Sequence, residues 1–211
     1  MSTLCERKAD ISVIVPVYNL ERHLTPLLAT LKEQDLGDYT AEYIFVLNNC
    51  TDNSEGVIRD SGLPCRILNC TQQGCGPARN VGVDQSDSEY IWFMDGDDWL
   101  LSKTAIKDVL DKAKAEDLNV LRIPFESNYF QRQYFSMVWQ YLFKRSFVKG
   151  LRFPAIQPSE DDVYTGFVLY MSGYDPWTYL RMPSMDRPLY YYNYLREGSN
   201  MYRVTVLHES I

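Results

Sequence analysis

The strongest constraint on the fold is a rhythm of short apolar runs. Ile11–Val15 reads Ile-Ser-Val-Ile-Val, β-branched and nearly continuous, as a strand buried on both faces should be. Comparable runs recur at Glu42–Leu47, Cys65–Leu68, Tyr90–Met94 and Val120–Ile123. Helical signals lie between them. Thr25-Pro26 reads as an N-cap with Pro at the first helical position, and Leu27, Leu28 and Leu31 supply a buried face. A polar turn at Asn48–Ser54 feeds a short helix through Val57 and Ile58, which Gly62 would stop. Gly74-Cys75-Gly76-Pro77 opens a helix running from Pro77 to about Asp84. Ser102 can cap another, whose apolar positions Ile106, Val109, Leu110 and Ala113 fall at i, i+3, i+4 and i+7. Strands alternating with helices predict an α/β fold with a mainly parallel, Rossmann-like sheet flanked by helices on both faces.

After Pro124 the rhythm breaks. Residues 128–158 are aromatic and basic, with weak periodicity. Ser159–Met171 reads as a helix with Val163, Phe167, Tyr170 and Met171 on one face, and Leu189–Tyr192 as a late strand. A length of 211 residues suits one domain, here with two halves: residues 10–124, and an acceptor-side subregion over 125–211.

Composition excludes some functions. A net charge of -7 argues against a broad surface for nucleic acid. An anionic ligand would need local positive charge or a bridging cation. The five Cys are odd in number and fit no zinc spacing, so reduced thiols in a cytoplasmic protein are expected. No signal peptide and no apolar run of membrane-spanning length is read.

In an open α/β sheet, ligands bind beyond the carboxyl ends of the strands. Those ends carry Pro16-Val17-Tyr18-Asn19, Asn48-Asn49 and Asp95-Gly96-Asp97-Asp98, so all three converge on one edge. Three carboxylates within four residues repel unless a cation or water screens them. Hard oxygen ligands suit Mg²⁺ or Mn²⁺, which could bridge the protein to a diphosphate. An exposed acidic turn is the plainer alternative. Glu160-Asp161-Asp162 forms a second acidic group, at a position where acids complement a helix dipole. A partly enclosed carboxylate there could also act as a general base.

Ile11–Asn19, Glu21, the Asn48–Ser54 turn, Gly74–Asn80 and Tyr90–Leu101 fall in an order and spacing that resembles the family 2 glycosyltransferases. The resemblance resumes at Glu160-Asp161 and at Leu189–Ser199. It implies the GT-A fold and a nucleotide-sugar donor, with a UDP-sugar first. Pro16, Val17 and Tyr18 would line the base pocket, Tyr18 against the base face, with Glu21 near it. Asn48 stands where the family usually has an Asp that hydrogen-bonds the base. Gly74 and Arg79 would approach the ribose or diphosphate. Asp97 would be the chief metal ligand of the D-x-D motif, with Asp95 beside the ribose or metal and Asp98 supporting. Asp161 would be the catalytic base. Met137–Arg145 also resembles the family's stretch before that base, and Trp139 could stack on a sugar or be buried. His208 is a further metal-ligand candidate.

The resemblance therefore implies an inverting, Mn²⁺- or Mg²⁺-dependent glycosyltransferase of polysaccharide biosynthesis, cytoplasmic or peripheral at the inner face of a membrane. Its acceptor would be a glycan or a lipid-linked glycan in preference to nucleic acid. A nucleotidyltransferase and a noncatalytic nucleotide-sugar-binding protein on the same fold are the alternatives. The sequence leaves donor base, donor sugar, linkage and oligomeric state open.

Overall fold

The computed structural model describes residues 8–128, 137–156, 159–174 and 182–193. The alternating rhythm appears as β1 (Ala9–Val17), α1 (Leu24–Lys32), β2 (Ala41–Asn48), α2 (Ser54–Asp60), β3 (Arg66–Cys70), α3 (Cys75–Gln85) and β4 (Ser88–Phe93). Then come β5 (Trp99–Leu100), α4 (Ala105–Ala115), β6 (Val120–Arg122) and β7 (Phe125–Ser127). The later part holds β8 (Tyr141–Lys144), α5 (Arg145–Val148), α6 (Glu160–Met171) and β9 (Tyr190–Tyr192).

The main sheet has the order β3-β2-β1-β4-β8-β6. Its first four strands are parallel, and β8 runs antiparallel between β4 and β6. A small second sheet has the order β5-β9-β7. Side-chain alternation divides the core in two. Val13, Val15, Phe45, Trp92 and Met94 face α1 and α4, whereas Ile14, Ile44, Val46, Ile91 and Phe93 face α3 and α6. Both faces of β1, β2 and β4 are thus covered, which explains their continuous apolar runs.

Several boundaries differ from the sequence reading. β1 continues through Pro16 to Val17 instead of ending at Pro16. The Ile14 carbonyl accepts from Met94 N–H, so Pro16, two residues on, turns its missing N–H to that same side, past the last β1–β4 pair. α1 begins at Leu24, one residue before the expected cap, which leaves Pro26 in the first turn where no intrahelical N–H bond is needed. α4 is capped at Thr104 rather than Ser102, whose hydroxyl instead accepts from Thr104 N–H. Ser159 precedes α6 in a left-handed conformation without a side-chain cap bond. Val163, Phe167, Tyr170 and Met171 do share one face of α6, and it is the exposed face. Tyr164, Thr165, Val168 and Leu169 turn to the core.

The sequence reading missed β8, which fills the gap between β4 and β6. The 3₁₀ turn Val138–Gln140 leads into it and buries Trp139, at 1% exposure. Trp139 stacks on Tyr190 at a centroid distance of 4.8 Å, and its carbonyl accepts from Trp92 Nε1 at 2.8 Å. It is a core residue, and a sugar cannot reach it. Trp139→Ala is expected to lower the unfolding free energy by about 3–5 kcal/mol in urea titration.

Candidate active site

The carboxyl ends of β1, β2 and β3 lie side by side, with Val17 opposite Leu47 and Asn48 opposite Cys70. The loops that follow β1 and β2 are laced together. Asn19 Oδ1 accepts from Thr51 N–H at 2.8 Å, Asp52 accepts from Glu21 N–H at 2.9 Å, and Glu21 accepts from Asn53 N–H at 3.2 Å. Tyr18 projects from this platform, 52% exposed. Pro16 is buried in β1, and Val17 packs its side chain in the core, which leaves its backbone at the sheet edge.

Asn48 is buried and almost fully occupied. Its Nδ2 donates to the Cys70 and Gln72 carbonyls at 3.2 and 2.7 Å, and its Oδ1 accepts from Gly74 N–H at 2.8 Å. The side chain therefore pins the turn between β3 and α3. An Asp could supply neither donated bond, because an ionised carboxylate only accepts. That accounts physically for Asn at this position. Gly74 caps α3 at φ 122 and ψ 152, a region essentially restricted to glycine. Its role here is to make that turn.

The acidic loop after β4 gives its carboxylates different tasks. Asp98 is fully buried. Its Oδ2 accepts from Tyr190 Oη at 2.6 Å, and its Oδ1 accepts from Asn193 N–H at 2.8 Å. Tyr190 Oη in turn accepts from Asp95 N–H at 3.0 Å. Burial and the neighbouring Asp97 and Asp95 charges push the Asp98 carboxyl well above the usual range. Asp98 thus ties the loop to β9. Asp97 is half-buried on the same loop.

Arg79 departs most from expectation. It is 2% exposed. Nη1 donates to Asp161 at 2.5 Å and to Glu160 at 3.3 Å, and Nη2 donates to Asp95 at 2.9 Å. The guanidinium is thus bonded to three carboxylates from two different segments of the chain. The guanidinium also lies 5.4 Å from the centre of the Phe153 ring. Asn80 clamps the Phe153 backbone from both sides, at 2.9 and 3.0 Å. A Cβ on Gly76 would meet the Pro154 carbonyl at 2.8 Å, so only glycine lets α3 approach this closely. The segment Gly74–Asn80 thus packs α3 against the chain that leads into α6. Its partners at residues 153–161 are far away in sequence, and nothing local in the chain announced the pairing.

Asp161 sits where α6 begins, and its other oxygen accepts from Val138 N–H at 3.4 Å. Burial raises its pKa to about 7, Arg79 pulling it down while Asp95 and Glu160 push it up. The structure therefore joins Asp95, Arg79, Glu160 and Asp161 directly, and sets Asp97 and Asp98 on the adjoining loop. Tyr18, Glu21 and Asn48 form the neighbouring part of the same sheet edge. Gly198, Ser199 and His208 lie outside the described residues.

Residues 12–186 match the family described as Glycosyl transferase family 2. The chain belongs to that family. Among its relatives is the minor teichoic acid biosynthesis protein GgaB of Bacillus subtilis, 33% identical over 122 residues, or 54% of this chain and 13% of GgaB. The poly(ribitol-phosphate) beta-N-acetylglucosaminyltransferase TarS of Staphylococcus aureus is 34% identical over 101 residues, or 46% of this chain and 18% of TarS. The chain thus spans a small part of these relatives. The crystal structure of TarS 1-349 with UDP-GlcNAc superposes with a TM-score of 0.77 at 24% identity, covering 92% of this chain and 60% of that one. A Pyrobaculum calidifontis mannosyltransferase structure with GDP-Man and Mn²⁺ gives 0.70 at 15% identity, covering 94% and 61%. The α/β fold of this family 2 member is therefore the GT-A fold.

Asn48→Asp is expected to lower the unfolding free energy by about 1–3 kcal/mol, because two carbonyls lose their donor. Thermal or urea unfolding measures this. A variant as stable as the parent would contradict the pinning role.

Proposed function

We propose that this family 2 chain is an inverting glycosyltransferase that moves a sugar from a nucleotide-sugar donor, a UDP-sugar first, to a hydroxyl of a glycan or lipid-linked acceptor. The observation that carries this reading is the joining of Asp161 to the D-x-D loop, through Arg79 and Asp95, at the carboxyl edge of the sheet. A carboxylate with a pKa of about 7 is suited to take a hydroxyl proton near neutral pH.

In this reading Asp161 accepts the acceptor hydroxyl proton as the oxygen attacks the anomeric carbon. The new C–O bond forms opposite the bond to the diphosphate. The nucleoside diphosphate leaves with the bonding electron pair, and the configuration inverts. Exposed Tyr18 offers a ring face to the base. Asn48 Oδ1 keeps a second lone pair that could accept from a base N–H. Pro16, Val17, Glu21 and Gly74 shape this edge mainly through backbone and loop geometry.

The carboxylates fit a divalent cation held in part by the donor. Asp97, half-buried on this loop, stands at the D-x-D position that the family resemblance gives to the metal ligand, and we assign it to hold Mn²⁺ or Mg²⁺. Among the described residues no group of three or more His, Cys, Asp or Glu forms a complete protein site. One or two carboxylates plus substrate phosphates is the usual way Mg²⁺ is bound. When bound, the cation would neutralise charge on the departing diphosphate.

The acceptor class draws on relatives. TarS is named for poly(ribitol-phosphate), and a Campylobacter jejuni relative, 31% identical over 108 residues, is named a GalNAc(5)-diNAcBac-PP-undecaprenol beta-1,3-glucosyltransferase. No helix among the described residues is long and apolar enough to cross a membrane. Peripheral attachment would bring the protein to a lipid-linked acceptor.

Asp161→Asn should reduce transfer by about 10²-fold or more while leaving UDP binding intact. Wild-type kcat/KM should fall on the acid side with a midpoint near pH 7, because the base must be ionised and protons bind it below its pKa of about 7. Retained transfer in Asp161→Asn would remove Asp161 as the base. Asp97→Asn should weaken Mn²⁺-dependent UDP binding about tenfold by calorimetry, a loss of roughly one RT ln 10. Unchanged binding would remove Asp97 as the metal ligand.

A further inference from the structure

We propose that Arg79 is a positioning residue for proton removal: a buried strut that holds Asp161 in place by tying it to Asp95 on the donor side. This rests on the reading of Asp161 as the base. It departs from the role that the family resemblance implies for Arg79, contact with ribose or diphosphate.

The geometry carries it. The two terminal nitrogens of Arg79 divide between the halves, Nη2 to Asp95 and Nη1 to Asp161 and Glu160. No other side chain among the described residues is bonded to both the D-x-D loop and the start of α6. The planar fork fits such a task, since a guanidinium offers donors in fixed directions and a lysine ammonium is a compact point charge. The side chain is held on every side. Phe153 packs against its face, Asn80 fixes the Phe153 backbone, and Gly76 lets α3 close on Pro154. Its Nε–H is buried, with no protein acceptor among the described residues. At 2% exposure, its remaining donors are shielded from an incoming phosphate.

Electrostatics agree with the geometry. Asp161 faces Arg79 from α3, Asp95 from the loop after β4, and Glu160 on its own helix. Cys75, also near, has a thiol that burial pushes up to about 12, so it stays neutral. One guanidinium among three carboxylates leaves the cluster negative when all are ionised. A proton is then retained more readily, and Arg79 opposes this. Without Arg79, Asp161 stays protonated to higher pH, and its carboxylate loses the bond that fixes its direction.

The test compares Arg79→Met and Arg79→Lys with the parent. The Asp161 carboxyl is titrated by NMR in protein labelled with ¹³C-aspartate and identified by its loss in Asp161→Asn. UDP with Mn²⁺ is the calorimetric probe. The titration midpoint should move alkaline by about one unit, a tenfold change in proton affinity, while UDP affinity changes less than about threefold. An unmoved midpoint overturns the proposal, and so does a tenfold loss of UDP affinity, which favours a phosphate contact. Circular dichroism checks folding. Should Arg79→Met fail to fold, Arg79→Lys decides: it keeps the charge and loses the fork, so a smaller alkaline shift is expected, and none overturns the proposal. Failure of the base reading shows separately, as transfer retained by Asp161→Asn.

Discussion

One guanidinium, buried against Asp95, Glu160 and Asp161, ties α3 to the loop after β4 and to the start of α6. Burying charge is costly, and a pair broken on one side is costlier still. The cage therefore persists only because its surroundings leave no alternative. β4 delivers Asp95, α3 delivers Arg79, and α6 delivers the other two acids. Close approach at Gly76 and the Asn80 clamp fix α3 against the segment that precedes α6. The same interactions that build the candidate site therefore also pack α3, the β4 loop and α6 together.

A second constraint runs through aromatic packing. Trp92 in β4 touches Tyr190 in β9 and donates to the carbonyl of Trp139, while Trp139 stacks on Tyr190. Tyr190 then uses its hydroxyl twice, accepting from Asp95 N–H and donating to Asp98. The acidic loop is thus held from beneath by a buried tyrosine. Placing carboxylates around an apolar column raises their pKa values, as it does for Asp98. Burial likewise raises the Asp161 carboxyl, to about 7.

The sequence revealed the parallel strands because both faces of β1, β2 and β4 are covered, and such strands must be apolar throughout. It concealed β8 for a related reason. Tyr141–Lys144 is only four residues long, lies in an aromatic stretch and has no turn signal that separates strand from helix. Gly74–Asn80 was visible as a motif, but Arg79 meets Asp161 across 82 positions of chain, and long-range ion pairs leave no local pattern. Asn48 was visible as a departure. Its reason needed the geometry, since two carbonyls 22 and 24 residues further on demand a donor. The apolar face of α6 was read correctly as a face. Periodicity alone cannot say whether a stripe meets the core or the solvent.

The string Asp95-Gly96-Asp97-Asp98 presents three chemically identical side chains, and packing makes them unlike. Asp95 meets a buried guanidinium, so its charge is balanced by the protein itself. Asp98 points inward to a tyrosine hydroxyl and a backbone amide, so its oxygens are spent on holding β9. Asp97 stands half-buried between them, and its charge raises the pKa of both neighbours. Among the described residues, the Arg79 guanidinium is set against three carboxylates, Asp95, Glu160 and Asp161. A divalent cation arriving with an anionic diphosphate would relieve that imbalance, and it would do so at the edge of the cage that orients Asp161. Under the proposed function, donor binding and proton removal would then be coupled through charge balance.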